Sequence, residues 1–96
     1  MKNSTLILVV DDNLQNIELM QAYLEPKGYK TVTATGGQEA LNILAQQPVD
    51  LILLDIMMPD MNGFEVTRRV REDALLKLLP IVLITALRET KERVKG

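Results

Sequence analysis

Leu6-Ile7-Leu8-Val9-Val10-Asp11-Asp12 near the N-terminus, and Leu51-Ile52-Leu53-Leu54-Asp55 further along, decide the fold. Each is a short run of bulky aliphatic residues with no polar position inside it, the pattern of a strand buried on both faces of a parallel sheet. Parallel strands finish on one edge of their sheet, and open α/β sheets bind ligands along that edge. Both runs end in acid. Carboxylates brought together there repel, and a pair about 5 Å apart costs roughly 3 kcal/mol at an effective dielectric near 20. A cation or a bound proton relieves that cost. Asp11, Asp12 and Asp55 carry hard oxygen ligands of the kind magnesium takes, so they are the expected divalent-metal site. Strand-end acids that merely cap the following helix are the competing reading; it suits Asp11 or Asp12 alone and leaves Asp55 without a role.

Outward from these two runs, strand and helix patterns alternate. Asn13 or Asp12 is placed to cap a helix reaching about Pro26, with Leu14, Ile17, Met20 and Leu24 at helical spacing. Lys27-Gly28-Tyr29 breaks it. Lys30–Thr35 reads as a second strand, Gly36-Gly37 as a turn, and Gln38–Gln46 as a short helix with Ala40, Leu41 and Leu44 on one face. Pro48 leads into a third strand over Val49–Asp55. The stretch Met57–Gly63 has the Pro, Asp, Asn and Gly of a loop. Phe64–Leu79 is expected to hold a third helix ending before Pro80, followed by a fourth strand over Pro80–Thr85 and a helical start over Arg88–Lys95. Strands joined by helical crossovers of this length predict a doubly wound parallel sheet in a single domain spanning residues 1–96.

Composition narrows the chemistry. With 96 residues, 47% hydrophobic and only 3% aromatic, the core must be aliphatic. A net charge of −2, with no basic stripe, gives no field for nucleic acid or an anionic membrane. The chain has no cysteine and no histidine. That excludes disulfides, thiolate sites, Ser–His or Cys–His catalysis and phosphate storage on an internal histidine. The N-terminal apolar run is too short for a signal peptide or a membrane span, so a cytoplasmic location is expected.

A carboxylate beside a metal can accept a phosphoryl group as an acyl phosphate, which makes Asp55 a candidate nucleophile. Thr85, ending the fourth strand, is placed to donate its hydroxyl to a phosphoryl oxygen, and the small Ala86 leaves space beside it. Asp60-Met61-Asn62-Gly63 superficially suggests a calcium loop, but the frame puts Met58 and Arg69 at ligand positions. The loop methionines read as apolar filling. Arg68, Arg69 and Arg71 share a helix with Glu65, Glu72 and Asp73, and read as a solvated face. A phosphatase of the haloacid-dehalogenase type wants a second acid where Met57 stands. A flavodoxin would place its phosphate where Asp11 and Asp12 repel it.

Leu-Val-Val-Asp-Asp at 8–12, Leu-Leu-Asp-Ile-Met-Met-Pro-Asp-Met-Asn-Gly at 53–63 and Pro-Ile-Val-Leu-Ile-Thr-Ala at 80–86 resemble the receiver (CheY-like) domain of bacterial two-component response regulators. The resemblance implies a flavodoxin-like sheet of order 2-1-3-4 with a fifth strand beyond. It implies Asp55 as phosphoacceptor and magnesium held by Asp12, Asp55 and the Met57 backbone carbonyl, with Asp11 acting through a metal-bound water. Thr85 would be the switch hydroxyl and Ala86 the space for the phosphoryl group. The donor would be a sensor histidine kinase or a phosphotransfer protein, and the domain itself no enzyme beyond its own phosphorylation and dephosphorylation. Met57 and Leu87 flank the expected phosphoryl site, and neither can orient a water, so an intact version of this receiver is expected to hold a long-lived acyl phosphate.

Lys91 and Lys95 do not match the family's phosphate-binding lysine, which follows the fifth strand. Residues 1–96 are therefore expected to be an incomplete receiver, truncated before the fifth strand and last helix. Two consequences are expected. Magnesium binding should survive with weak or no stable phosphorylation, and the exposed fourth strand should promote homo-oligomers. The alternative is a phosphorylation-incompetent binding or dimerisation module.

Overall fold

In a computed structural model of the chain, which describes residues 5–84, four parallel strands form one sheet of order β2-β1-β3-β4. They are β1 (Leu6–Val10), β2 (Lys30–Ala34), β3 (Leu51–Asp55) and β4 (Ile81–Ile84). Between them run α1 (Leu14–Leu24), α2 (Gly37–Gln46) and α3 (Gly63–Glu72), with a 3-10 turn at Glu25–Lys27. This is the flavodoxin-like arrangement. Thr85, Ala86, Leu87, the helical start at Arg88–Lys95 and any later strand lie outside the described residues.

Period-two alternation sorts the strand residues into two layers. Ile7 and Val9 of β1, with Leu51 and Leu53 of β3, meet Ile17, Met20 and Leu24 of α1. Leu8, Val10, Ile52 and Leu54 face the other way, onto Ala40 and Leu44 of α2 and Val66 and Val70 of α3. The central strands β1 and β3 are thus covered on both sides, as their unbroken apolar runs require. Burying each such side chain is worth about 1.5–3 kcal/mol against leaving it in water. Most of the core therefore lies directly beneath the edge that carries the acids.

Several element ends differ from the sequence reading for local reasons. Helix α3 stops at Glu72 instead of continuing to Leu79. Asp73 ends it: its Oδ1 accepts the Leu75 N–H at 2.8 Å, and its carbonyl accepts Leu76 N–H at 3.0 Å. The turn that follows is clamped by Arg71, whose Nη1 donates to the carbonyls of Lys77 and Leu79 at 2.8 and 2.7 Å. Arg71 and Asp73 are thus structural, whereas Arg68 and Arg69 make the expected solvated pairs with Glu65 and Glu72. Leu14 was expected on the apolar face of α1 but is 63% exposed, because the helix begins beyond the last ladder pair, Val10 with Ala34. Gly28 allows the chain to turn back at φ 96°, in the left-handed region.

The start of α3 is set by close approach. A Cβ on Gly63 would lie 2.9 Å from both the Asp55 carbonyl oxygen and Ile56 Cα, which are backbone atoms that cannot swing aside. Gly63→Ala is expected to destabilise the protein by about 1–3 kcal/mol, the usual cost of overpacking, measured as a lower urea midpoint. A shift below about 0.5 kcal/mol would show that α3 slides freely on β3.

Candidate functional site

The register of β1 on β3 builds the site. Val10 pairs with Leu54, so one further step along each strand sets Asp11 beside Asp55. Parity then gives both acids the α1 side of the sheet, the side of Val9 and Leu53. Asp11 and Asp55 are buried, at 2% and 3% exposure, while Asp12 turns outward to solvent. Carboxylate oxygens from all three lie within 4.8 Å of one another. The three residues singled out from sequence are thus brought together. Thr85 and Ala86 fall outside the described residues.

Local structure fixes the two buried acids. Asn13 caps α1 with its side chain, accepting from the N–H groups of Gln15 and Asn16 at 2.8 and 3.3 Å. Its own N–H donates to Asp11 Oδ1 at 2.9 Å. Asn16, in the first turn of α1, donates from Nδ2 to Asp11 Oδ2 at 3.2 Å. On the other strand, Met57 N–H donates to Asp55 Oδ1 at 3.1 Å and so sets the rotation of that carboxylate. Asn16 was not anticipated. Its only sequence signal is its place one turn into a helix that starts at the strand-end acids.

Burial pushes the Asp11 carboxyl above its ordinary value of 3.8; the Asn13 N–H opposes that rise, and the negative charge of Asp55 adds to it. The hydrogen bonds from Asn13 and Asn16 do not outweigh burial and repulsion. On the donor chemistry alone the cluster fits a hard divalent cation. Magnesium takes one or two carboxylates directly and keeps several waters, and the exposed Asp12 leaves a solvent side for them. That side opens onto a cleft of about 630 Å³ whose walls include Asp12, Met57, Asn62 and Phe64. Met57 and Phe64, at 54% and 60% exposure, give it an apolar rim. The sequence signals Phe64 only as the start of a helix, not as part of this rim.

Comparison with known proteins agrees with this geometry. The family model for the response regulator receiver domain matches residues 7–96. Response regulator PleD of Caulobacter vibrioides is 44% identical over 93 residues, which is 97% of this chain and 20% of PleD. The polar-differentiation response regulator DivK of Brucella ovis is 34% identical over 91 residues, covering 93% of this chain and 74% of DivK. Among solved structures, the signal receiver domain of a histidine kinase from Syntrophus aciditrophicus superimposes with a TM-score of 0.83 at 33% identity, over 85% of this chain and 62% of that one. Chemotaxis protein CheY4 of Vibrio cholerae gives 0.80 at 28% identity, over 98% and 82%. The chain therefore spans about a fifth of PleD and somewhat under two thirds of the Syntrophus domain. Among the described residues no helix is long and apolar enough to cross a membrane.

Folded Asp11 holds its proton more tightly than unfolded Asp11, so its contribution to stability falls as pH rises from 3.8 through the folded value. Without divalent cations, the melting temperature of the wild type is expected to decline relative to Asp11→Asn between acid and neutral pH. Magnesium at neutral pH should reverse that decline, by about 2.7 kcal/mol at a hundredfold excess over its dissociation constant. A difference independent of pH and magnesium would contradict this electrostatic account of the cluster. Sheet order, paired strand-end acids and a receiver match over nearly the whole sequence converge on one assignment: this chain belongs to the response regulator receiver domain family of two-component signalling.

Proposed function

We propose that the chain is a phosphoacceptor module that takes a phosphoryl group on Asp55 from a phosphohistidine of a sensor histidine kinase or phosphotransfer protein, in the cytoplasm, with residues 1–96 acting as one unit. The observation that carries the reading is the convergence of Asp11, Asp12 and Asp55 within 4.8 Å at the carboxyl edge of the sheet. Receiver domains in general bind magnesium and act as signalling modules rather than as enzymes. Here Asp12, Asp55 and the Met57 carbonyl would hold the cation, with Asp11 reaching it through water. When bound, it would offset the charge of the carboxylates and of the incoming phosphoryl group.

The chain's own residues supply positioning. Burial and the Met57 N–H hold the Asp55 carboxylate in one orientation, so that an oxygen is presented to phosphorus. A new O–P bond forms as the P–N bond to the donor imidazole breaks, and the ring nitrogen leaves with the bonding pair. Asn13 and Asn16 keep Asp11 turned toward the same point. Met57 offers no polar side chain to activate water, which favours a persistent acyl phosphate. Thr85 and Ala86 retain their proposed roles as switch hydroxyl and phosphoryl space.

Intact-mass spectrometry after incubation with acetyl phosphate and magnesium tests the reading, with Asp55→Asn as control. We expect a low-yield phosphoryl adduct that the substitution abolishes. An adduct that persists in Asp55→Asn, or none under any condition, would sink the proposal.

A second reading, a phosphorylation-incompetent binding or dimerisation module, is favoured by β4. Val82 and Leu83 are 48% and 37% exposed on the last strand of the described sheet, which pairs only with β3 there. Exposed apolar edge strands invite pairing with another copy. Sedimentation at rising concentration is expected to show self-association that Val82→Lys suppresses. A monomer at every concentration would remove this reading's support.

A further inference from the structure

Helix α2 starts without a capping side chain from its own N-cap, which is Gly36 in extended backbone. The first N–H groups of any helix lack partners inside it. One of them is met from elsewhere: Gly37 N–H donates to Asp60 Oδ1 at 3.4 Å, across 23 residues of sequence. The other carboxylate oxygen, Asp60 Oδ2, stands 2.9 Å from the point where a Cβ on Gly36 would lie. A Cβ on Gly36, whose φ of −163° is open to any residue, would push the Asp60 carboxylate aside. A carboxylate at this end of a ten-residue helix is favoured by the helix dipole as well.

Asp60 belongs to the segment between β3 and α3, the same segment that carries Met57 and its hydrogen bond to Asp55. The inner part of that segment is secured by Met58 N–H and Gly63 N–H, both donating to the Ile56 carbonyl at 3.1 and 2.9 Å. Met58 is buried, whereas Pro59 and Asp60 are exposed. The outer part is tied to α2 instead, through Asp60 and through Met61, whose Cβ stands 2.8 Å from a Cβ position on Gly37.

We propose that Asp60 is a positioning residue: by capping α2 from the β3–α3 loop, it holds Met57, and through it the Asp55 carboxylate, in register with Asp11. The functional part of this inference rests on the reading that the acid cluster takes a divalent cation; the capping part does not. Loss of the cap lets the loop sample positions in which the Met57 N–H leaves Asp55, and any cation bound there must then re-order it.

The test uses the full chain as wild type, Asp60→Asn, Asp60→Ala and Gly36→Ala. Two quantities are read: hydrogen exchange at individual amides without divalent cations, and magnesium affinity by titration calorimetry. In Asp60→Ala and Gly36→Ala, exchange at the Met57 amide is expected to be about fivefold faster, the factor that one ordinary capping contact represents. Magnesium should bind correspondingly more weakly. Asp60→Asn keeps an acceptor oxygen and should stay near wild type in both. Gly36→Ala matters because it dislodges Asp60 while leaving every carboxylate in the chain. Unchanged exchange at Met57 in the alanine variants would overturn the proposal. So would an Asp60→Asn effect as large as that of Asp60→Ala, which would reduce Asp60 to a bare charge, or an acceleration spread evenly over the sheet, which would mean global loosening. If the exchange pattern holds and the wild type does not bind magnesium, the capping role stands and the cation reading fails.

Discussion

The pairing of Val10 with Leu54 governs this molecule, because it sets two carboxylates side by side one residue later. A slip of one residue along either strand would send that strand's acid to the opposite face, away from its partner. The conflict of charge is therefore built into the strand register. Ile7, Val9, Leu51 and Leu53 on one face and Leu8, Val10, Ile52 and Leu54 on the other pack in the register that brings Asp11 to Asp55. The cost of the acids is met by the core beneath them.

The protein relieves that conflict only in part. Asn13 and Asn16 supply N–H donors to Asp11, and Met57 supplies one to Asp55. These bonds orient the carboxylates more than they neutralise them, and Asp11 still titrates above its ordinary value because burial prevails. A site built this way is ordered before any ligand arrives and keeps a preference for positive charge. Its three members differ in burial, two inside and one outside, which leaves an approach from solvent on the side of Asp12.

The parts legible from sequence were those where one local signal settles the outcome. Unbroken aliphatic runs closed by acid gave β1 and β3 and, through them, the cluster; the start of α1 was legible to within one residue, Asn13 or Asp12, and the cap is Asn13. The end of α3 was not legible, since Ala74, Leu75, Leu76, Leu78 and Leu79 continue a helical composition past Glu72. The helix ends there because the Asp73 side chain takes a backbone N–H and Arg71 reaches across to two carbonyls, contacts that composition does not encode. Leu14 misled for a similar reason: its spacing fits the apolar face, but the face has run past the sheet by the time the helix begins. Asp60 carries only loop chemistry in the sequence, because its partner lies at the start of α2, far away along the chain.

Those distant contacts share a feature, the close approach of chain at three glycines. At Gly36, Gly37 and Gly63 the neighbouring chain comes so close that a Cβ would fall within 2.9 Å of another atom. At Gly63 the neighbours are the backbone of Asp55 and Ile56, so α3 starts in direct contact with the end of β3. At Gly36 and Gly37 they are the side chains of Asp60, Met61 and Val66, so α2 starts against the same loop and against α3 itself. Both helices therefore begin against the segment that holds Asp55 or against its side chains. The segment that carries the Met57 N–H bonded to Asp55 thus lies against the starts of α2 and α3, on the far face of the sheet from α1.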